Sequence, residues 1–176
     1  NKSYLGALEK FEKANAIPKL ECSTETEIMR RLSDYRTMAL LRDRTESAER
    51  VYYHSGGRYY RKCLPDKLSN EYKELGLAKG WSDGVTCLLS SSFYYWFWIA
   101  LSDCYHVTAQ DIDLIPVPDC LKDEAEFQAL AESLIADLWK NANRRDRMRA
   151  DGSRQEEINF DIGKSKPLLD QIDCVL

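Results

Sequence analysis

Phe93-Tyr-Tyr-Trp-Phe-Trp-Ile-Ala-Leu101 is the most apolar run in the chain, and it restricts the possible folds more than any other stretch. At nine residues it is too short for the roughly 20 that a membrane-spanning helix requires, so other parts of a folded domain must cover it. Its aromatic residues fall on every side of a helical wheel, which predicts a helix buried all round. A polar triplet (Ser90, Ser91, Ser92) leads into it. After it, Ser102-Asp103-Cys104 reads as a turn, Thr108 as a helix cap and Pro116-x-Pro118 as an extended exit. From Cys87 to Pro118 the expectation is a buried helix, a polar crossing, one helical turn, and a strand leaving the core.

The 176-residue chain is long enough to supply that cover as one domain. Hydrophobic content of 44% with 31% charged residues fits a globular chain rather than a disordered one. The net charge of −4 argues against a protein that coats nucleic acid by bulk charge, while leaving room for a local basic surface. The start of the sequence lacks a charged, then apolar, then small-residue cleavage pattern, so no signal peptide is expected. The six cysteines (22, 63, 87, 104, 120 and 174) are widely spaced with no Cys-x-x-Cys pair. They read as free thiols in a reducing cytoplasm rather than zinc ligands or a disulfide framework.

Along the chain, Tyr4 to Ala16 has helical spacing that Pro18 ends. Thr24-x-x-Glu27 reads as a capping box, with a helix behind it to about Leu41 whose buried stripe is Ile28, Leu32, Tyr35 and Ala39. Two aromatic-rich runs, Arg50 to His54 and Arg58 to Leu64, flank Ser55-Gly56-Gly57 and predict a β-hairpin. Alternation places Val51 and Tyr53 on one face and Tyr52 and His54 on the other. Pro65 to Leu77 is charged and reads as a short helix, and Lys79 to Gly84 as a loop. Asp123 to about Arg149 is expected to be the longest helix, with Phe127, Leu130, Ala131, Leu134, Leu138 and Ala142 buried. Its acidic start and basic end match a helix dipole. Asp151-Gly152-Ser153 breaks it, and a last helix begins near Pro167 and stops at Leu176, as though the chain were truncated.

Catalytic patterns are weak. Pro65-Asp66 with Glu71-Tyr72-Lys73 has the letters of a metal-dependent nuclease, but the interval is too short for acids on neighbouring strands, and a solvated charged segment is the better reading. Asp103, Cys104 and His106 fit a capped turn at least as well as a nucleophile and base. His54 reads as an exposed turn histidine before a ligand contact. Arg58-Tyr59-Tyr60-Arg61-Lys62 interleaves cations with aromatics. It could reach phosphates and base edges, or simply keep a packed hairpin soluble, and the residues alone leave both open. Lys140 to Arg154 holds six Lys or Arg (including Arg144, Arg145, Arg147 and Arg149) against Asp146 and Asp151, a second candidate phosphate contact. Dipole matching at a helix end is the favoured reading there.

Leu88-Leu-Ser-Ser-Ser-Phe-Tyr-Tyr-Trp-Phe-Trp98, Ser102-Asp-Cys-Tyr-His106 and Asp111-Ile-Asp-Leu-Ile-Pro-Val-Pro118 follow Tyr52-Tyr53 and Gly56-Gly57-Arg58-Tyr59-Tyr60. With Ile17-Pro-Lys-Leu20 before them and Lys164-Ser-Lys-Pro-Leu-Leu-Asp-Gln-Ile-Asp173 after, this order resembles the C-terminal target-recognition (specificity) region of Type IIG-like restriction–modification enzymes. Related adenine-specific DNA methyltransferases of the TaqI-like type share that region. The resemblance spans roughly residues 15 to 176. Tyr105 stands where a basic residue is common, which puts a DNA role for that position in doubt. The resemblance implies double-stranded DNA as partner and an upstream methyltransferase domain in cis that binds S-adenosylmethionine and flips adenine into an Asn-Pro-Pro-Tyr/Phe pocket. It implies Mg2+ only where a nuclease domain is also present, and a bacterial or archaeal cytoplasm. This chain has no Asn-Pro pair and no glycine-rich cofactor loop, so no catalytic, cofactor or metal residue is assigned to it.

The expectation is an α+β single domain with a small antiparallel sheet around the hairpin, packed among several helices. It comprises a helical entry (1–45), a hairpin and buried-helix core (46–118), and C-terminal helices (119–176). The expected function is sequence-specific DNA recognition, with His54, Arg58, Tyr59, Tyr60, Arg61, Lys62, Arg144, Arg145, Arg147 and Arg149 as candidate contacts. The alternative is a helical docking module that seats the methyltransferase domain or a partner without reading bases.

Overall fold

The computed structural model describes residues 18–56, 62–122, 125–148 and 150–176. The helix expected over Tyr4 to Ala16 lies outside them. In order come helix α1 (Ser23–Leu32), strand β1 (Arg36–Thr37), a 3-10 turn (Met38–Leu41), and strands β2 (Glu49–His54), β3 (Cys63–Leu64) and β4 (Tyr72–Leu77). Helices α2 (Ser82–Ser90), α3 (Ser92–Leu101) and α4 (Ala109–Asp113) follow, then strand β5 (Pro116–Val117) and a 3-10 turn (Asp119–Leu121). The chain finishes with helix α5 (Ala125–Lys140), strands β6 (Ala142–Met148) and β7 (Arg154–Phe160), a 3-10 turn (Ile162–Ser165) and helix α6 (Lys166–Val175). The fold is α+β, with three small antiparallel sheets: β1–β5, β3–β2–β4 and β6–β7.

The central sheet forms where the alternation of β2 predicts it. Val51 and Tyr53 are buried while Arg50 is exposed, and β2 pairs antiparallel with β3 through Tyr52↔Leu64 and Tyr53↔Cys63. Its longer partner is β4, from Glu49↔Leu77 to His54↔Tyr72. This corrects the short helix expected before Leu77. The charges there (Lys73, Glu74) are the outward residues of a strand whose Tyr72, Leu75 and Leu77 are buried. Glu74 accepts from Arg50 Nε at 3.3 Å, a cross-strand pair on the solvent side.

The helix against this sheet is α2, from the region read partly as loop, and every residue from Gly84 to Ser90 is buried. A missing side chain also lets the Asp119–Leu121 turn close onto this helix. A Cβ on Gly84 would lie 2.2 Å from the carbonyl oxygen of Leu121. Ser91 then breaks the chain, accepting from the Tyr94 amide at 3.0 Å, so α2 and α3 meet at 67°. Helix α3 buries Tyr94, Phe97, Trp98 and Ala100, but Tyr95 and Ile99 are exposed, so it is a two-sided helix rather than one buried all round. No single helix among the described residues is long and apolar enough to cross a membrane.

Three other expectations change. The capping box at Thr24 is absent: Thr24 lies inside α1, and Glu27 instead accepts from Arg30 and Arg31 at 2.8 and 2.9 Å. Those two guanidinium hydrogen bonds hold the Glu27 carboxyl down at about 2. Helix α1 stops at Leu32 instead of about Leu41. Ile28 and Tyr35 of the expected stripe are exposed, while Met29 and Met38 enter the core. Thr108 does form a capping box, with Asp111.

The largest correction concerns α5. Phe127, Ala131, Leu134 and Leu138 are buried as expected, but the helix ends at Lys140, where the Asn141 side chain donates to the Asp137 carbonyl at 2.9 Å. Beyond it, Asn143-Arg-Arg-Asp-Arg offers no apolar stripe that a further helical turn could bury. The segment pairs instead with β7, Ala142↔Phe160 through Met148↔Arg154. The C-terminal third is therefore two helices around a hairpin. Asp151-Gly152-Ser153 forms its turn, with Gly152 at φ +82° and the Asp151 carboxylate accepting from the Ser153 amide at 2.9 Å.

Candidate nucleic-acid interface

Because β6 and β7 pair directly, their side chains sort cleanly onto two faces. One face carries Ala142, Arg144, Asp146, Met148, Arg154, Glu156, Ile158 and Phe160. Its root is anchored: Phe160 meets Trp139 of α5 edge-to-face at 5.3 Å, and Ile158 and Ala142 pack against the core. Two of its charged groups are occupied as well. Arg144 pairs with Glu156 at 3.2 Å and lies over the Trp139 ring at 5.9 Å.

The opposite face is polar from end to end, made of Asn143, Arg145, Arg147, Gln155, Glu157 and Asn159. All but the half-buried Gln155 are exposed. Arg145 lies directly across from Glu157, yet among the described residues neither Arg145 nor Arg147 makes an ion pair. This removes the dipole-matching account of Arg144, Arg145 and Arg147, since they sit on a strand beyond the helix end.

Arg147 and β7 line one side of a cleft of about 990 Å³. The other side is the end of the central sheet: His54, Gly56, Lys62 and the 68–72 turn. Two hairpin candidates, His54 and Lys62, and one candidate of the basic stretch, Arg147, more than eighty residues apart in sequence, therefore share one cleft. Arg58, Tyr59, Tyr60, Arg61 and Arg149 lie outside the described residues.

His54 is more than an exposed turn residue. Its Nε2 sits 3.0 Å from Glu71, its Nδ1 faces the Gly56 carbonyl at 3.2 Å, and its ring meets Tyr72 edge-on at 5.0 Å. Both partners can only accept, so a neutral ring can satisfy just one of them. Burial, reinforced by the nearby Lys62 charge, nevertheless holds the imidazole pKa below its ordinary value, outweighing Gly56 and Glu71. Burial also lowers the Lys62 pKa, and its ammonium lies over the Phe160 ring at 5.6 Å, joining the sheet end to the ribbon root.

The catalytic patterns do not assemble. Glu71 is on His54, and Lys73 donates to the Asn70 carbonyl at 2.8 Å. Cys104, at φ +61°, receives a hydrogen bond from Lys19 Nζ at 3.4 Å, while the His106 ring meets Tyr105 edge-on at 4.5 Å. Among the described residues no group of three or more His, Cys, Asp or Glu could hold a metal ion. Sequence reading overlooked Asn143, Gln155, Glu157 and Asn159, although Asp151-Gly152 between two polar runs is a hairpin signal. In comparison with known proteins, no family model, no curated protein and no solved structure matches this chain.

Proposed function

We propose that the chain is a double-stranded DNA target-recognition module that directs an adenine-specific DNA methyltransferase of the Type IIG-like kind. The observation that carries the DNA half of this reading is the shared cleft, which brings Lys62 and His54 together with Arg147 and the polar ribbon. The methyltransferase half rests on the resemblance of the 88–118 and 164–173 lines, and S-adenosylmethionine would be bound by the catalytic domain. In this reading Lys62 and the hairpin cations Arg58 and Arg61 contact phosphates and fix the register of the duplex, while Arg147 and neighbouring polar side chains reach base edges.

Phosphate contacts release counterions, so affinity for duplex DNA should fall steeply as salt rises. The measurement is a salt titration of duplex binding by the full chain. Lys62→Ala and Arg61→Ala should each lower the log–log slope by about 1. An affinity independent of salt, or unaltered slopes in both variants, refutes the reading.

A second reading, docking of the methyltransferase domain, is favoured by the mainly apolar groove between α5 and α6, lined by Ala129, Leu130, Leu168 and Val175. Leu130→Asp and Leu168→Asp separate the two. On the docking reading they abolish association with the catalytic domain, and duplex binding by the isolated chain is absent from the outset.

A further inference from the structure

We infer that the β6–β7 ribbon is the base-reading element, laid in the major groove with its polar face toward the base edges. This rests on the DNA reading above and goes beyond it by assigning specificity to residues other than the hairpin cations. The first support is composition sorted by register. Arg145, Arg147, Asn143, Asn159, Gln155 and Glu157 share one face, and no apolar side chain interrupts them. These are the side-chain types whose geometry matches base edges in the major groove. Arginine donates in a fork to guanine, asparagine and glutamine pair with adenine, and glutamate accepts from the cytosine amine.

Availability is the second support. On the anchored face the Arg144 guanidinium is held by Glu156 and Trp139. On the polar face Arg145 and Glu157 are cross-strand neighbours without an ion pair, so both heads keep their hydrogen-bonding capacity. Shape is the third. A two-stranded ribbon fits a major groove roughly 12 Å wide, and seven-residue strands reach about 24 Å from the root, two-thirds of a helical turn of duplex. Lys62, over the Phe160 ring at the root, then lies where a groove-bound ribbon brings the phosphate backbone closest to the domain, while Arg147 sits one pair from the tip.

Arg145 with Glu157 accordingly reads a G·C pair, guanine by the fork and cytosine by the carboxylate. Arg147 reads a second guanine two strand positions on. A-form RNA has a major groove too deep and narrow for such a ribbon, so duplex RNA is excluded as the specific partner.

The test selects duplexes from a randomised library with the full chain at low salt, then repeats the selection with Arg145→Ala, Glu157→Gln and Arg147→Ala. All three positions are exposed, and unchanged melting confirms that the variants fold. The wild type should enrich one motif. Arg145→Ala and Glu157→Gln should relax the same G·C position, losing roughly 5- to 150-fold discrimination there, and Arg147→Ala should relax a different one. Salt-dependent binding without a motif, a motif that none of the three variants alters, or equal affinity for duplex RNA overturns the inference while the DNA reading stands. Absence of salt-dependent duplex binding by the wild type brings down both.

Discussion

The central sheet and the ribbon have strands of six and seven residues paired antiparallel in the same manner, yet they are held by opposite means. In the central sheet Val51, Tyr53, Leu75 and Leu77 are buried, and the sheet is inseparable from the core. In β6 no residue is buried, and of β7 only Phe160 is. An isolated two-stranded hairpin is marginal in water, so the ribbon is held by its root on Trp139, by its turn, and by its cross-strand hydrogen bonds. What it lacks in burial it keeps as exposed side chains, of which Arg145, Arg147 and Glu157 make no ion pair among the described residues. Binding surfaces tend to sit on such elements, positioned by a scaffold that is stabilised elsewhere.

Amide hydrogen exchange gives the largest expected contrast. Central amides of β2 and β4 should open only with the whole domain, whereas those of β6 and β7 open locally. The difference should be on the order of a thousandfold or more in rate. Cys63 in β3 provides a chemical counterpart. Burial pushes its thiol up to about 12, so it and the buried Cys87 should resist alkylation while the exposed Cys22, Cys104, Cys120 and Cys174 react. Equal exchange in the two sheets would mean that the ribbon belongs to the cooperative core.

Substitutions sharpen the same contrast on an energy scale. Leu75 is fully buried, and Leu75→Ala should cost roughly 2–5 kcal/mol in urea denaturation. Gly76→Ala should also destabilise, because its new Cβ would lie 2.2 Å from the Asp43 carbonyl oxygen, a backbone atom that cannot swing away. Arg145→Ala should stay within about 0.5 kcal/mol. A loss there comparable to Leu75→Ala would make the ribbon a stability element and weaken its reading as a free surface.

The two sheets also divide what was legible in the sequence. Val51 and Tyr53 alternate with polar neighbours, and β2 pairs with Cys63–Leu64, the end of the second run in which a strand was expected; the turn expected between the runs lies largely outside the described residues. The Thr108 cap, the Pro116 strand and the final helix were equally readable, because each depends on local chemistry. Strand β4 was hidden because Lys73 and Glu74 diluted its apolar positions until β2 supplied a partner. Strand β6 had no apolar periodicity at all, and its arginines continued the charge run of α5 plausibly. Only the partner 154–160, with Ile158 and Phe160 two apart, and the Asp151-Gly152 turn indicate a hairpin. The cleft was legible as two separate cationic patches. Their meeting depends on long-range packing of α5 and the ribbon root against the sheet end, which no local pattern contains.

His54, where the two regions meet, gives the smallest expected effect. Its imidazole pKa is held below 6.5, first by burial and then by Lys62, against the pull of the Gly56 carbonyl and Glu71. Between the folded pKa and 6.5 the unfolded chain therefore binds a proton that the folded chain does not, and stability should fall as pH is lowered through that window. Below the folded pKa both states are protonated and the loss is complete. His54→Gln should remove this part of the pH dependence. Lys62→Met should narrow it, because one of the two causes is gone. Urea midpoints between pH 5 and 8, with the ring followed by NMR, measure both. Stability that instead rises on acidification would mean that the Glu71 contact at 3.0 Å governs the ring, with the imidazolium satisfying both of its acceptors in the folded chain. In that case the cleft would carry an added positive charge at mildly acid pH, and duplex affinity should strengthen over the same window.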